Sequence, residues 1–159
     1  MEQIRSVKVG LVRCHCLQCG NEFSFARLSD FTYGEWLLCT EDSKSRVYVN
    51  CFEDSVVTEA GEMVRSILRD KDLNETECAQ RFHQVFGFTC DPIHGSPVVS
   101  KEIVICPLCR ADNLRMSEYA PPKIAALETP IASHEWWLSL TPDERRKVLK
   151  LEMARRGLL

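Results

Sequence analysis

Two cysteine pairs with the same spacing constrain this chain more than any other feature of its sequence. Cys16 and Cys19 enclose two residues in CLQC, and Cys106 and Cys109 repeat that spacing in CPLC. A C-x-x-C turn lets two thiolates converge on one ion, and two such turns complete a tetrahedral site with zinc–sulfur distances of about 2.3 Å. The sequence therefore predicts that these four cysteines bind zinc.

The long separation of the two pairs indicates an insertion. Residues 20–105 number 86, whereas small zinc sites use gaps of about 12–20 residues. The chain must leave the site and return, so we expect an inserted αβ unit whose two ends the metal brings together. Four protein ligands leave no open position for water, so the predicted zinc is structural rather than catalytic.

The residues around the pairs, CLQCGNEF and CPLCRADN, resemble the two knuckles of zinc-ribbon proteins. In that family a Gly or small polar residue after the second Cys lets the chain turn back into a strand. Gly20 fits this pattern and Arg110 departs from it. The resemblance does not extend over residues 24–104. The alternatives are reduced core thiols, since Cys is among the most buried residue types, or a redox dithiol.

Hydrophobic periodicity predicts an α+β fold. Alternating or short apolar runs predict strands at 4–12, 23–28, 35–40, 46–52 and 98–105, and three- and four-residue spacing predicts helices at 54–70 and 74–87. Two helix starts have sequence signatures: Asn74 is followed three residues later by Glu77, and Thr141 is followed by Pro142 and Glu144. We therefore expect a zinc-ribbon base, an inserted β-hairpin and two-helix unit, and a C-terminal helical extension.

Proline density suggests how the chain divides. Residues 1–119 are predicted to form the zinc-ribbon domain, with the insert at about 30–100. Residues 120–133 contain several prolines and predict a linker or an extended strap, and residues 134–159 form the helical extension.

Composition limits the compartment and the partners. Nine cysteines in a chain without a recognisable secretion signal favour reduced or metal-bound thiols, so we expect a cytoplasmic protein. No apolar run is long enough to span a membrane. The net charge is −3, and six Lys/Arg against thirteen Asp/Glu give residues 30–100 a charge of −7. This acidic middle opposes a broad electrostatic grip on nucleic acid.

A second metal site is a further possibility. Its candidate ligands are Cys39, Cys51, Cys90 and His94, since CDPIH has a Cys/His spacing and the first two could face each other across the hairpin. The alternative is buried thiols beside a loop histidine.

The sequence predicts no catalytic residues. It contains no phosphate-binding loop, nucleophile elbow, dinucleotide fingerprint or H-E-x-x-H motif. The best catalytic combination is Cys90 or Cys51 as thiolate with His83 or His94 as base, and neither thiol has a basic neighbour in sequence that would activate it. We therefore expect a non-enzymatic protein.

The C-terminal extension carries the predicted partner contact. Trp136 and Trp137 are followed by a helix with six cations. Its apolar side is predicted to contain Leu140, Val148 and Leu151, with Leu158 as a further candidate. Trp and Arg are enriched in interface anchors, so Trp136, Trp137, Arg145 and Arg146 are candidate partner-binding residues. Alternatively the tryptophans pack on the domain, or the cations contact nucleic-acid phosphates.

We expect a small subunit or adaptor that binds another protein. The alternative is a nucleic-acid-binding regulator, and the third possibility is a cysteine-dependent enzyme.

Overall fold

The computed structural model describes residues 2–29 and 33–159, and residues 30–32, at the start of the predicted insert, lie outside them. Helices and strands are both present, so the α+β class is confirmed. The strands are β1 (Ile4–Cys16), β2 (Glu22–Leu28), β3 (Glu35–Thr40), β4 (Arg46–Asn50), β5 (Val98–Val99), β6 (Leu114–Glu118) and β7 (Ile124–Pro130). The helices are α1 (Ser55–Ile67), α2 (Glu75–Phe86), α3 (Glu135–Leu138) and α4 (Pro142–Arg155). None of the described helices is long and apolar enough to cross a membrane.

A four-stranded antiparallel sheet is organised around the long strand β1. β2 pairs with one edge of β1. The other edge is shared, because β6 pairs with residues 12–16 and β7 pairs with residues 4–10. The first cysteine pair therefore begins at the last residue of β1, and the second precedes β6, the strand that lies beside it.

The hairpin β3–β4 forms a three-stranded sheet with β5 and is covered on both faces. Side chains alternate between the faces of a strand. Tyr48 packs with Val7 and Val9 of the four-stranded sheet, while Val47 and Val49 face the helices. The hairpin is thus the middle layer between the sheet that carries the cysteines and the helical layer.

The helix starts follow the predicted capping signals. Asn74 and Glu77 form a reciprocal capping box at α2, and Thr141 and Glu144 form another at α4. Such caps satisfy backbone N–H groups that have no partner within the helix.

The predicted strand at 98–105 is wrong beyond Val99. Only Val98 and Val99 pair with β3, because the following residues cross from the hairpin to the four-stranded sheet, where Glu102 forms an ion pair with Arg27 of β2. Residues 120–133, predicted as a linker or strap, contain β7, whose seven residues pair with β1. The division into domains stays a prediction.

The predicted apolar side of the last helix is only partly correct, because Val148 packs against the main core and Leu158 is buried but Leu151 is not. Leu149 and Met153 are fully buried, whereas Leu151 is 62% exposed. Glu152 is buried with them, and its carboxylate accepts from Arg155 and Arg156 at 2.6 and 2.7 Å. These hydrogen bonds compensate for the loss of water around the buried carboxylate.

A buried histidine fastens the C-terminal extension to the insert. The Nε2 of His134 lies 2.8 Å from a carboxylate oxygen of Asp54, the N-cap of α1, and its Nδ1 lies 2.9 Å from the carbonyl oxygen of Thr89. Both acceptors are satisfied when each ring nitrogen carries a hydrogen, so these contacts favour the protonated imidazole. Burial opposes that charge, but the Asp54 carboxylate and the Thr89 carbonyl outweigh it and raise the pKa of His134.

This arrangement predicts a stability that depends on pH. Because the pKa is higher in the folded state, the contribution of His134 is complete below the unfolded value of about 6.5 and is lost as pH rises through the folded value. Urea unfolding between about pH 6 and 9 should show a decrease in the free energy of unfolding that is absent in His134→Gln. The control is His94→Asn, which also replaces a histidine with an amide side chain, but at an exposed site. This variant should retain the decrease in the free energy of unfolding. A pH dependence unchanged by His134→Gln would contradict the assignment.

Candidate metal centre

The four predicted ligands meet at one point. The Sγ atoms of Cys16, Cys19, Cys106 and Cys109 all lie within 4.8 Å of one another. The Sγ atoms of Cys16 and Cys109 are 3.5 Å apart, and those of Cys19 and Cys106 are 3.6 Å apart. A regular tetrahedron with metal–sulfur bonds of about 2.3 Å has edges of about 3.8 Å. The cluster therefore has the size that a four-thiolate metal site requires.

The two cysteine turns have the same backbone hydrogen bonds. The N–H of Gly20 donates to the carbonyl of Cys16 at 2.9 Å, and the N–H of Arg110 donates to the carbonyl of Cys106 at 2.9 Å. A further bond joins the turns, because the N–H of Leu17 donates to the carbonyl of Asn113 at 3.0 Å. The two knuckles are thus fixed relative to each other by backbone contacts as well as by the cysteines.

The residue after each second cysteine has a left-handed backbone. Gly20 has φ of 77° and Arg110 has φ of 65°. This conformation costs a residue with a Cβ about 1–2 kcal/mol, which is why glycine is favoured there. Arg110 compensates in part, since its side chain donates to the carbonyl of Asp42 at 2.6 Å. The departure from the common Gly therefore leaves the knuckle geometry intact.

Backbone N–H groups stabilise thiolates at this site. The N–H groups of Cys19 and Gln18 hydrogen-bond to the sulfur of Cys16 and lower its pKa. Burial acts in the opposite direction on Cys106, yet N–H groups of Cys109 and Leu108 lower the pKa of this thiol to about 6. Backbone N–H groups also favour the thiolates of Cys19 and Cys109, but burial and hydrogen bonds with neighbouring thiols outweigh them and raise the pKa of both. Thiolates are the form that binds metal, so two of the four ligands are prepared for an ion and the other two must release protons when it binds.

Burial closes the site on one side. Cys16 and Cys106 are fully buried, Cys109 is half-buried and Cys19 is exposed. A four-thiolate set has the chemistry of a structural centre, since the protein fills every position of a tetrahedral ion. Within residues 2–29 and 33–159 this is the one cluster of metal-ligating side chains.

The residues considered for a second site do not assemble into one. Cys39 lies opposite Arg46 near the turn of the hairpin, whereas Cys51 follows the other end of β4. The prediction that these two thiols face each other across the hairpin is therefore wrong, because the strand register places them at opposite ends of β4. His94 is exposed and Cys90 is buried in the main core.

The thiols considered for catalysis are in environments that disfavour the thiolate. Burial and the Asp54 carboxylate raise the pKa of Cys51 to about 11. The same two causes, in the same order, raise the pKa of Cys90. His83, one of the candidate bases, stacks edge-on against Trp36 with ring centroids 5.0 Å apart.

The tryptophans of the C-terminal extension are not presented at the surface. Trp137 is 0% exposed, and its indole nitrogen donates to Glu59 at 3.3 Å. Trp136 is half-buried and donates to the carbonyl of Cys90. This geometry agrees with the alternative in which Trp136 and Trp137 pack on the domain. An exposed Trp137 anchor would require the extension to leave the core.

The two arginines that follow are also engaged within the chain. Arg145 forms an ion pair with Glu59 at 2.6 Å and donates to the carbonyl oxygens of Trp137 and Leu138. Arg146 donates to the hydroxyl of Ser66 at 2.9 Å. Their role in binding a partner stays a prediction.

Sequence reasoning missed the apolar side chains that the cysteine turns expose. Leu17 is 48% exposed in the first knuckle and Leu108 is 72% exposed in the second. Their position inside the C-x-x-C motifs was the available signal, since residues between paired ligands point away from the metal. Comparison of the chain with protein-family models, with curated proteins and with solved structures found no match.

Proposed function

We propose that this protein is a non-enzymatic interaction module, a small subunit or adaptor, whose binding surface a structural zinc ion holds in place. The observation that carries the proposal is the four-thiolate cluster, with sulfur–sulfur distances of 3.5 and 3.6 Å between the two knuckles. The zinc-ribbon resemblance, the strand before the first knuckle and the strand after the second support the same interpretation.

Zinc is the proposed ion because a closed set of four thiolates suits it. The same tetrahedral donor set also accommodates iron, so the two ions must be told apart. Elemental analysis of the purified protein should find zinc, and its solution should lack the visible absorption of iron–thiolate bonds. Iron at a stoichiometric ratio to the chain would reassign the metal.

The proposed contact surface is the tip formed by the two knuckles. Leu17 and Leu108 project apolar side chains from turns that the metal and the Leu17–Asn113 hydrogen bond hold rigid. Exposed apolar side chains on a rigid support bind with little loss of conformational freedom. The proposed partner is therefore a protein with an apolar depression that accepts both leucines.

Charge pairing on the same sheet supports a protein partner over nucleic acid. Arg13 lies 3.2 Å from Glu22, and Arg27 lies 2.5 Å from Glu102. Cations with carboxylate partners are less available to phosphates, and nucleic-acid binding depends on phosphate neutralisation. The raised pKa values of Cys51 and Cys90 likewise support a role without thiolate catalysis.

The test replaces the two knuckle leucines. In quantitative affinity purification from the native cells, Leu17→Ser/Leu108→Ser should lose the stoichiometric protein partner while retaining its metal. The partner should persist when the extract is treated with nuclease. The matched control is Leu138→Ser/Leu151→Ser, which alters two leucines that are 54% and 62% exposed elsewhere.

Three results would contradict the proposal. They are retention of every partner by the knuckle variant, equal loss in the control variant, or disappearance of the partners with nuclease. The last result would favour the nucleic-acid-binding alternative.

A further inference from the structure

A cavity of about 330 Å³ lies where the two sheets and α2 meet, away from the metal centre. It is lined by Arg27 and Leu28 of β2, by residues 35–38 of β3, by Arg46, by His83, and by Ser100 and Glu102 of the segment that follows β5. Volumes of about 300–1,000 Å³ are typical of ligand pockets. The cavity is thus large enough to take part of a ligand, and none of the functions above uses it.

β3 has an open edge along this cavity. β4 pairs with β3 from Glu35 to Cys39 on one side. On the other side β5 pairs only with Cys39 and Thr40. Among the residues that the structure describes, no strand pairs with residues 35–38 on that second edge. An unpaired edge of this kind is a template for another strand.

The hydrogen-bond alternation of the hairpin shows which groups the open edge offers. The N–H of Cys51 donates to the carbonyl of Gly34 at 2.7 Å, so Gly34 and, two residues on, Trp36 direct their backbone groups toward β4. Alternate residues of an antiparallel strand direct these groups to opposite edges. Glu35 and Leu37 therefore direct N–H and C=O groups toward the open edge.

Arg46 places a cation in the wall of the same cavity. Its Nη1 donates to the carbonyl of Ala26 at 2.7 Å, and its guanidinium carbon lies 4.5 Å from the centre of the Phe25 ring. Its Nε is buried without a hydrogen-bond partner. No carboxylate in the described part of the chain lies within ion-pair distance of it. Arg46 is half-buried, so its cation loses part of its hydration without gaining a counter-charge, and a ligand carboxylate would offset that loss.

The neighbouring charges leave Arg46 as the group that receives a carboxylate. Glu102 is occupied by Arg27, whose Nε donates to both of its oxygens at 3.1 Å. Glu35 accepts a hydrogen bond from the hydroxyl of Tyr48. The strand register also places Glu35 and Arg46 at opposite ends of the hairpin, so a carboxylate beside Arg46 is removed from Glu35.

We propose that this cavity binds an extended peptide segment, which adds as a strand to the open edge of β3 and places a carboxylate against Arg46. The backbone of Glu35 and Leu37 supplies the hydrogen bonds, as in other cases of β-strand addition. Because Nε is enclosed, the carboxylate meets the guanidinium at its terminal nitrogens, where a charge-assisted hydrogen bond is stronger than a neutral one. This carboxylate belongs either to an Asp or Glu side chain or to a chain terminus.

The first test needs no ligand. Amide hydrogen exchange of the full chain should be faster at Glu35 and Leu37 than at Trp36 and Leu38, whose N–H groups pair with β4. The two neighbours serve as internal controls. Equally slow exchange at all four amides would show that the edge is already paired and would overturn the proposal.

The second test uses peptides selected from a displayed random library against the full chain. The selected sequences should contain Asp or Glu or require a free C-terminus, and synthetic versions with free and amidated ends tell these sources apart. Binding should slow amide exchange at Glu35 and Leu37. Arg46→Gln should weaken binding by about tenfold or more. Arg46→Lys should weaken it by less, because lysine keeps the positive charge but lacks the planar guanidinium.

The matched control is Arg115→Gln, an exposed arginine of β6, which should bind as the wild type does. Leu17→Ser/Leu108→Ser should also leave peptide binding unchanged, so the knuckle surface and this cavity are tested separately. A library that yields no binder, or binders unaffected by both Arg46 variants, would overturn the proposal.

Discussion

Replacing Cys106 with Ser is expected to abolish metal binding and to unfold the end of the four-stranded sheet. Cys106 is fully buried and its sulfur lies 3.6 Å from that of Cys19. Binding of zinc contributes an apparent free energy of about 10–16 kcal/mol to the folding of small structural zinc sites. A serine hydroxyl is a poor replacement for a thiolate ligand. The loss is therefore comparable to the whole stability of a typical domain, about 5–15 kcal/mol.

The position of the ligands predicts where the structure fails first. Cys16 ends β1 and Cys106 precedes β6, so the metal joins two segments that are far apart in sequence. In Cys106→Ser, amide exchange should accelerate first in residues 16–21 and 106–113. Amides of α1 and α2, which belong to the other core, should be affected less.

A matched variant separates loss of the metal from loss of a buried thiol. Cys14→Ser makes the same change at a residue that is equally buried but outside the four-cysteine cluster. It should keep the metal and lose only about 1–3 kcal/mol, the cost of a poorly bonded buried hydroxyl. Elemental analysis and urea unfolding measure both quantities. A soluble Cys106→Ser protein that retains one metal ion per chain would contradict the assignment of the ligands.

The sequence predicted those parts of the fold whose causes are local. The cysteine spacing identified all four ligands, and the Asn74–Glu77 and Thr141–Glu144 pairs located two helix starts. In each case the interacting groups lie within a few residues of one another or are chemically distinctive. Such signals do not depend on which distant segment becomes the neighbour.

The parts that sequence reasoning missed depend on distant neighbours. Nothing near His134 indicates that Asp54, 80 residues away, will accept from its ring. The proline-rich segment gave no sign that residues 124–130 would pair with β1, because the pairing surface is the free edge of another strand. The open edge of β3 is likewise visible only once β5 is known to stop after Val99.

Burial of the C-terminal tryptophans belongs to the same class. HEWWLSL is amphipathic in composition, but a four-residue helix does not by itself determine which face meets the core. The structure buries Trp137 against the helical layer, and Arg145 holds it there by donating to its carbonyl oxygen at 3.0 Å. Partner binding and core packing use the same residue types, so the sequence alone left both readings open.

Trp137→Ala is expected to destabilise the whole domain. Trp137 is 0% exposed and belongs to the main core with Phe86 and Leu149. Truncating a buried tryptophan to alanine costs about 3–5 kcal/mol through lost burial and the cavity that remains. Glu59 additionally loses the indole N–H that donates to it, although it keeps its ion pair with Arg145. Thermal or urea unfolding should show a decrease of this size.

The next residue in the same helix provides the control. Leu138 is 54% exposed, so Leu138→Ala should change the free energy of unfolding by less than about 0.5 kcal/mol. Equal effects of the two substitutions would contradict the packing of α3. The comparison also decides how loss of a partner in affinity purification should be interpreted. If Trp137→Ala is unfolded, a lost partner shows only that the fold is lost. Only surface substitutions such as those of Leu17 and Leu108 can locate a contact, because they leave the core and the metal ligands unchanged.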